Sequence, residues 1–290
     1  AQASTGSGKT AAFGLAMVDR LNPRWFAVQG LVLCPTRELA DQVATEIRRL
    51  ARAQDNIKVV TVYGGVPSRG QIASLENGAH IVVGTPGRVM DLMERGKLDI
   101  ANLKTLVLDE ADRMLDMGFL ADIETVVRQC PAERQTLLFS ATYPDGIAGL
   151  AQRFMRAPQM VKVAAQHGAG KIAQRWYEVD AREKVDVVAR MLAHFRPASS
   201  IAFCNTKQQC RNVVTALQSQ GFSALALFGE LEQRERDEVL VQFANKSCSV
   251  LVATDVAARG IDIADLSAVI NVDVTPDPEV HIHRIGRTGR

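Results

Sequence analysis

The stretch Ala3-Ser4-Thr5-Gly6-Ser7-Gly8-Lys9-Thr10 places two glycines, a lysine and hydroxyl side chains at the spacing of a phosphate-binding loop, with alanine at the first glycine position. Glycines there let backbone N–H groups approach phosphates, Lys9 neutralises the β and γ groups, and the Thr10 hydroxyl ligates Mg²⁺. A chance glycine-rich turn is the plain alternative. A second feature weighs against it: the apolar run TLVL (105–108) ends directly in Asp109-Glu110-Ala111-Asp112. Adjacent acids delivered by a buried strand cost stability unless a cation or water network meets them. Asp109 is the residue that would hold Mg²⁺, and Glu110 the one to orient or deprotonate an attacking water. The competing reading is a solvated acidic turn with Arg113 nearby.

Such chemistry needs strands that end at one edge. Short apolar runs recur, each followed by a helical pattern: GLVLCP (30–35), IKVVTVY (57–63), HIVVGT (80–85), TLVLDE (105–110) and TLLFSA (136–141). A second series follows with SIAFCN (200–205), SALALF (223–228), SVLVAT (249–254) and AVINVD (268–273). Continuous apolar runs suit strands buried on both faces of a parallel sheet. Between them, Leu39, Val43, Ile47 and Leu50 share one helical face and read as core. A helix from about Lys9 to Leu21 would point its N-terminus at the phosphates. The two series predict an α/β chain of two domains, each a parallel sheet with helices on both faces. Their expected limits are 1–163 and 172–290, with a small, Gly-rich linker over 164–171. QRWYEV (174–179) reads as a further strand-like run opening the second domain. In such sheets ligands bind at the carboxyl ends of strands.

With 290 residues, 47% hydrophobic and 23% charged, the chain has apolar content for two cores. No apolar run approaches the ~20 residues of a bilayer span. No basic segment followed by an apolar core marks a secretory signal, and a cytoplasmic location is expected. Cys34, Cys130, Cys204, Cys210 and Cys248 form no C-x-x-C pair and read as reduced, packed thiols. His281 and His283 lack a third ligand for zinc. A net charge of +2 gives no bulk attraction for a polyanion, which must be held by placed groups.

Taken in order, ASTGSGKT, PTREL (35–39), Gly64-Gly65, TPGR (85–88), DEAD (109–112), SAT (140–142), Gln233 with Arg236, TDVAARGID (254–262) and HRIGRTGR (283–290) resemble the DEAD-box RNA helicases. The resemblance covers essentially the whole chain and is strongest toward bacterial members. It implies two RecA-like domains of the P-loop NTPase type, with ATP and Mg²⁺ between them and RNA crossing both. It implies that Thr5, Gly6, Ser7, Gly8, Lys9 and Thr10 bind the nucleotide together with Gly260 and Asp262, the latter at the ribose. Ser140, Thr142 and Asp112 then couple the nucleotide site to domain closure, and Arg287 and Arg290 act as arginine fingers. RNA contacts fall by resemblance on Pro35, Thr36, Arg37, Gly65, Thr85, Gly87 and Arg88, and in the second domain on Arg236 and Thr254. These are amides, hydroxyls and single arginines, suited to phosphates and 2′-hydroxyls rather than base edges. Aromatics at 5% leave few stacking platforms.

The implied activity is RNA-stimulated ATP hydrolysis coupled to local unwinding of short RNA duplexes by a monomeric core, in ribosome assembly or RNA turnover. An ATP-gated RNA clamp shares the same motifs, whereas the DEAD tetrapeptide and the PTREL block argue against a DNA-directed helicase on the same two-domain chassis. Phe228 departs from the pattern, standing where the family usually has His before glycine. The chain starts without Met, so a fragment or a processed chain is expected. The resemblance implies that the strand feeding the phosphate loop and an adenine-reading glutamine motif precede Ala1. It also implies that the last elements of the second domain follow Arg290.

Overall fold

The computed structural model describes residues 1–3, 7–143, 145–163, 172–258 and 266–288. The chain divides into two compact units, Ala1–Gln166 and His167–Arg290; the expected linker, 164–171, lies outside the described residues. The first unit runs α1 (Lys9–Asp19), β1 (Gly30–Leu33), α2 (Arg37–Leu50), β2 (Val59–Val62), α3 (Arg69–Glu76), β3 (Ile81–Gly84) and α4 (Pro86–Glu94). It continues with β4 (Thr105–Leu108), α5 (Ala111–Asp116), α6 (Leu120–Gln129), β5 (Gln135–Leu138) and α7 (Asp145–Phe154). The second runs α8 (Lys184–Phe195), β6 (Ser200–Phe203), α9 (Lys207–Ser219), β7 (Ala224–Leu227) and α10 (Gln233–Ala244). It ends with β8 (Val250–Ala253), α11 (Asp255–Ala258), β9 (Ala268–Asn271) and α12 (Pro278–Ile285).

Every one of the apolar runs in the two series forms a strand, and all the pairings between named strands are parallel. The orders are β2-β3-β1-β4-β5 and β7-β8-β6-β9. The period of two along each strand explains the unbroken apolar runs. Leu31, Leu33, Val82, Leu106 and Leu108 pack into one cluster, while Val32, Ile81, Val83 and Val107 pack into another on the opposite face. The second sheet repeats this, Ala202 and Val252 facing one core and Ile201, Phe203 and Leu251 the other. In α2, Ala40, Val43, Ala44 and Ile47 are buried, with Thr36 capping the helix by accepting from the Leu39 amide at 3.3 Å. All five cysteines are buried and free.

The segment 174–179 is not a strand. Its β-favouring aromatics, Trp176 and Tyr177, are 85% and 49% exposed. Among the described residues no ladder partner runs beside it, and an extended segment without a partner gains no sheet hydrogen bonds.

Gly84 closes β3 where a side chain has no room. A Cβ there would stand 2.3 Å from the Val62 carbonyl oxygen and 2.9 Å from Val89. Gly84→Ala should therefore lower the stability of the first unit by about 1–3 kcal/mol in urea unfolding. Gly149→Ala, in α7 with open space around the added methyl, should be neutral or slightly stabilising; equal midpoints for the two variants would refute the packing argument.

Candidate functional site

At the carboxyl edge of the first sheet, the residues leading into the phosphate loop are held on both sides. Gln2 bridges Ser140 and Lys162 in parallel. The Ala3 amide donates to Ser140 O at 3.0 Å, and the Gln2 amide to Val161 O at 2.8 Å. Gly8 then turns left-handed (φ 83°) and opens α1, and no side chain caps that end. Lys9 Nζ donates to Ala3 O at 2.8 Å, turning the ammonium back toward the start of the phosphate-loop sequence. Ser7 is exposed, and Thr10 sits half-buried in the first turn of α1. Thr5 and Gly6 lie outside the described residues.

The acids follow β4. Asp109 is 3% exposed, its amide bonded to Leu33 O at 3.0 Å. Burial and then the neighbouring Glu110 push its carboxyl up to about 7; Lys9 and the Glu110 amide pull the other way, and Asp112 adds to the rise. Glu110 takes left-handed backbone angles (φ 51°, ψ 53°), which cost a non-glycine residue roughly 1–2 kcal/mol. That turn aims its carboxylate at Arg113 Nη1, in a pair whose side chains are 13% and 9% exposed. The acidic turn beside Arg113 is thus present but not solvated.

Asp112 reaches the turn after β5. Its Oδ2 accepts from the Thr142 hydroxyl at 2.9 Å, the Thr142 amide at 3.0 Å and the Ala141 amide at 3.2 Å. Its own amide donates to Ser140 Oγ at 3.3 Å. Burial alone would push the Asp112 carboxyl up. The bonds from Thr142, Ser140 and the Arg113 amide outweigh burial and hold it below the usual carboxylate value.

The other half of the same edge carries the candidate RNA residues. Pro35, Thr36 and Arg37 follow β1, Gly64 and Gly65 follow β2, and Thr85, Gly87 and Arg88 follow β3. Arg37 lies over the Tyr63 ring at 5.3 Å from its centroid. Gly65 is left-handed (φ 77°). Thr85 precedes α4, whose first residue is Pro86. Arg88 donates to Gln71 Oε1 at 3.1 Å and to Val66 O at 3.0 Å.

In the second unit, Arg236 Nη2 donates to Ala257 O at 2.7 Å. This ties α10 to the helix that begins just after Thr254. Arg287 is 8% exposed; Gly260, Asp262 and Arg290 lie outside the described residues. Phe228 is 6% exposed, with the Arg211 guanidinium 4.9 Å from its ring centroid.

A residue that motif reading passed over dominates this edge. Arg284, at 2% exposure, uses its whole guanidinium. Nε and Nη2 grip Asp255 at 2.6 and 2.7 Å. Nη1 meets Asn271 Oδ1 at 3.1 Å and Asp273 O at 2.6 Å, and Nη2 meets Asn205 Oδ1 at 3.0 Å. Four partners that follow or end β6, β8 and β9 converge on it. Polar residues recurring at those strand ends were the available signal.

Two parallel sheets, each with its polar residues at the carboxyl edge, make both units RecA-like. The chain belongs to the DEAD/DEAH box helicase family. The profile of that family matches residues 1–150, and the helicase conserved C-terminal domain matches 183–290. The chain is 53% identical over 289 residues to the ATP-dependent RNA helicase DbpA of Escherichia coli (strain K12), covering 100% of this chain and 63% of that protein. It is 47% identical to the DEAD-box ATP-dependent RNA helicase CshA of Geobacillus kaustophilus, again over 100% of this chain and 62% of the relative. The chain thus spans somewhat under two thirds of the length of these relatives. Among solved structures, S. cerevisiae Dbp5 bound to RNA and ADP BeF3 superposes with a TM-score of 0.87 at 34% identity, over 100% of this chain and 75% of that one.

Two measurements probe this geometry. The folded chain holds the Asp109 proton more tightly than the unfolded chain, whose carboxyl titrates near 3.8. Stability contributed by this group is therefore present below that value, falls as pH rises toward about 7, and is level above. In Mg²⁺-free buffer, Asp109→Asn should gain on the parent across that window by on the order of 2–4 kcal/mol; a pH-independent difference between their melting curves would refute it. Arg284→Met removes the partner of a partly exposed carboxylate and of two amide oxygens, and should cost the second unit about 2–3 kcal/mol. An unchanged urea midpoint for that unit would show the network to be dispensable.

Proposed function

We propose that this chain is the catalytic core of an ATP-dependent RNA helicase. In this reading, RNA-stimulated ATP hydrolysis is coupled to closure of the two units and to local, sequence-independent separation of short RNA duplexes. The observation that carries the reading is the division of one sheet edge. Lys9, Asp109, Glu110 and the Ser140–Thr142 turn occupy the β4–β5 side. The hydroxyls, amides and arginines of 35–37, 64–65 and 85–88 occupy the β2-β3-β1 side. The RNA and ADP BeF3 bound by yeast Dbp5 support both halves of this reading.

Asp109 and Thr10 are the residues that would hold Mg²⁺. A carboxyl at 3% exposure, its charge disfavoured by burial and by two neighbouring acids, is the donor a hard divalent cation compensates. Bound there, the ion would neutralise phosphate charge. Lys9, now on Ala3 O, would exchange that carbonyl for phosphate oxygens together with the amides of Thr5 to Thr10. Glu110, aimed by its left-handed backbone and held by Arg113, would orient or deprotonate the attacking water. Asp112 would transmit the state of that site through the Thr142 and Ala141 amides. Arg287 and Arg290 would supply positive charge to the γ-phosphate on closure, with Gly260 and Asp262 at the ribose. Pro35, Thr36, Arg37, Gly65, Thr85, Gly87, Arg88, Arg236 and Thr254 would grip the RNA backbone. The core would work as a cytoplasmic monomer. Among the described residues, no helix is long and apolar enough to cross a membrane.

In the full-length protein, Lys9→Ala should abolish nucleotide binding, whereas Arg287→Ala should keep it and lose turnover by about 10³-fold or more. Comparable hydrolysis by Arg287→Ala and the parent would defeat the finger assignment. Equal ATPase stimulation by DNA would favour a DNA-directed enzyme. RNA binding without duplex separation would favour a clamp, and strand separation lost in Glu110→Gln the unwinder.

A further inference from the structure

The three candidate RNA segments of the first unit come from separate loops, yet one side chain bonds two of them together and braces the third. Gln71 sits in the first turn of α3. Its Oε1 accepts from the Tyr63 amide at 3.2 Å, and its Nε2 donates to the Tyr63 carbonyl at 3.0 Å. The side-chain amide thus pairs with the backbone of the residue directly before Gly64-Gly65, as a neighbouring strand would. The same Oε1 accepts from Arg88 Nη1 at 3.1 Å. Arg88 Nη2 reaches Val66 O at 3.0 Å, on the other side of the glycine pair. The glycine loop is therefore pinned before and after its tip, once by Gln71 and once by the arginine that Gln71 orients. Tyr63 meanwhile carries the Arg37 guanidinium over its ring at 5.3 Å, and its side chain hydrogen-bonds Asp41, a residue of α2.

The orientation of the amide follows from these partners. Turning it over would aim its NH₂ at two donors, the Tyr63 amide and Arg88, and its oxygen at the Tyr63 carbonyl. No hydrophobic or charged replacement reproduces one acceptor for two donors and one donor for a carbonyl.

We propose that Gln71 is a positioning residue for RNA, fixing the Gly64-Gly65 loop and Arg88 in the geometry that receives the RNA backbone. The inference rests on the helicase-core reading above. Gly65, left-handed and exposed, has no side chain of its own to hold its loop, and Arg88 has several rotatable bonds. Without Gln71 the Tyr63 backbone loses its amide partner and Arg88 keeps Val66 O at 3.0 Å and the Asp91 carboxylate at 3.7 Å, so more of the ordering falls on the RNA, and that ordering weakens binding. The effect falls on RNA and not on nucleotide, because Gln71 lies on the β2-β3-β1 side of the edge, away from β4 and β5.

The test compares Gln71→Leu, Gln71→Glu and Arg88→Ala in the full-length protein, using poly(U) RNA and a fluorescent ATP analogue. Gln71→Leu should raise the RNA concentration giving half-maximal ATPase by about tenfold. Turnover at saturating RNA should stay within about twofold and analogue affinity should be unchanged. Gln71→Glu keeps the acceptor for Arg88 and the Tyr63 amide and loses the donor, so its shift should fall between Leu and the parent. Gln71→Leu with parent-like RNA dependence overturns the inference, as does an equal loss of RNA affinity, turnover and analogue binding, which marks a folding defect. If Arg88→Ala leaves RNA dependence unchanged, or RNA does not stimulate the parent, the helicase-core reading itself fails.

Discussion

A carboxyl group taken out of water at the end of a buried strand sets the terms for the first unit. Asp109 cannot ionise cheaply where β4 delivers it, with Glu110 beside it and Asp112 three residues on. Everything around it answers that cost in part. Lys9 adds positive charge from the loop, and the Glu110 amide hydrogen-bonds Oδ1 at 3.0 Å. Arg113 takes the neighbouring Glu110 carboxylate, and Asp112 is drawn away into the amides of the Ser140–Thr142 turn. The compensation stops short of complete, since the Asp109 carboxyl remains displaced to about 7. In the proposed function, a divalent cation would complete that compensation.

The second unit meets the same topological demand with the opposite sign and a different result. Its most deeply buried charge among the described residues is a guanidinium, and Arg284 finds an acceptor for each of its donor groups among the residues that end or follow three strands. Nothing on that side chain is left for a ligand. The contrast separates two kinds of buried charge that motif reading alone places together. An under-compensated charge at a strand end is available for chemistry, and a fully bonded one is structural. HRIGRTGR contains both a structural arginine and the residues carried over as fingers.

These differences mark how far the sequence could be read. The strand runs were legible because burial on both faces leaves an unbroken apolar run, as in Leu31, Val32 and Leu33. The phosphate loop and the acids after TLVL were legible because their spacing along the chain is itself the chemistry. Partnership across the chain was not. QRWYEV has the composition of a strand, but pairing depends on a neighbour that composition does not report. Arg284 was hidden by a motif whose other arginines already had roles. Gln71 belongs to no motif; its partners, Tyr63 and Arg88, lie on either side of it in sequence and meet only when β2 and β3 align.

The division of the sheet edge also constrains how RNA could influence hydrolysis. The two halves meet where β1 runs beside β4, at the bond from the Asp109 amide to Leu33 O. Cys34, directly before the Pro35–Arg37 segment, is fully buried there, its thiol pushed up by burial and by the nearby acids. A seam of ladder hydrogen bonds between fully buried strands transmits position but has no second arrangement to switch into. Asp112 is different. It holds a partly exposed turn by hydrogen bonds to Ala141 and Thr142, bonds that can be kept or exchanged without disturbing the sheet. In the proposed mechanism, a signal between RNA and nucleotide would therefore pass through the elements that leave the edge, and the seam would serve to keep its two halves in register.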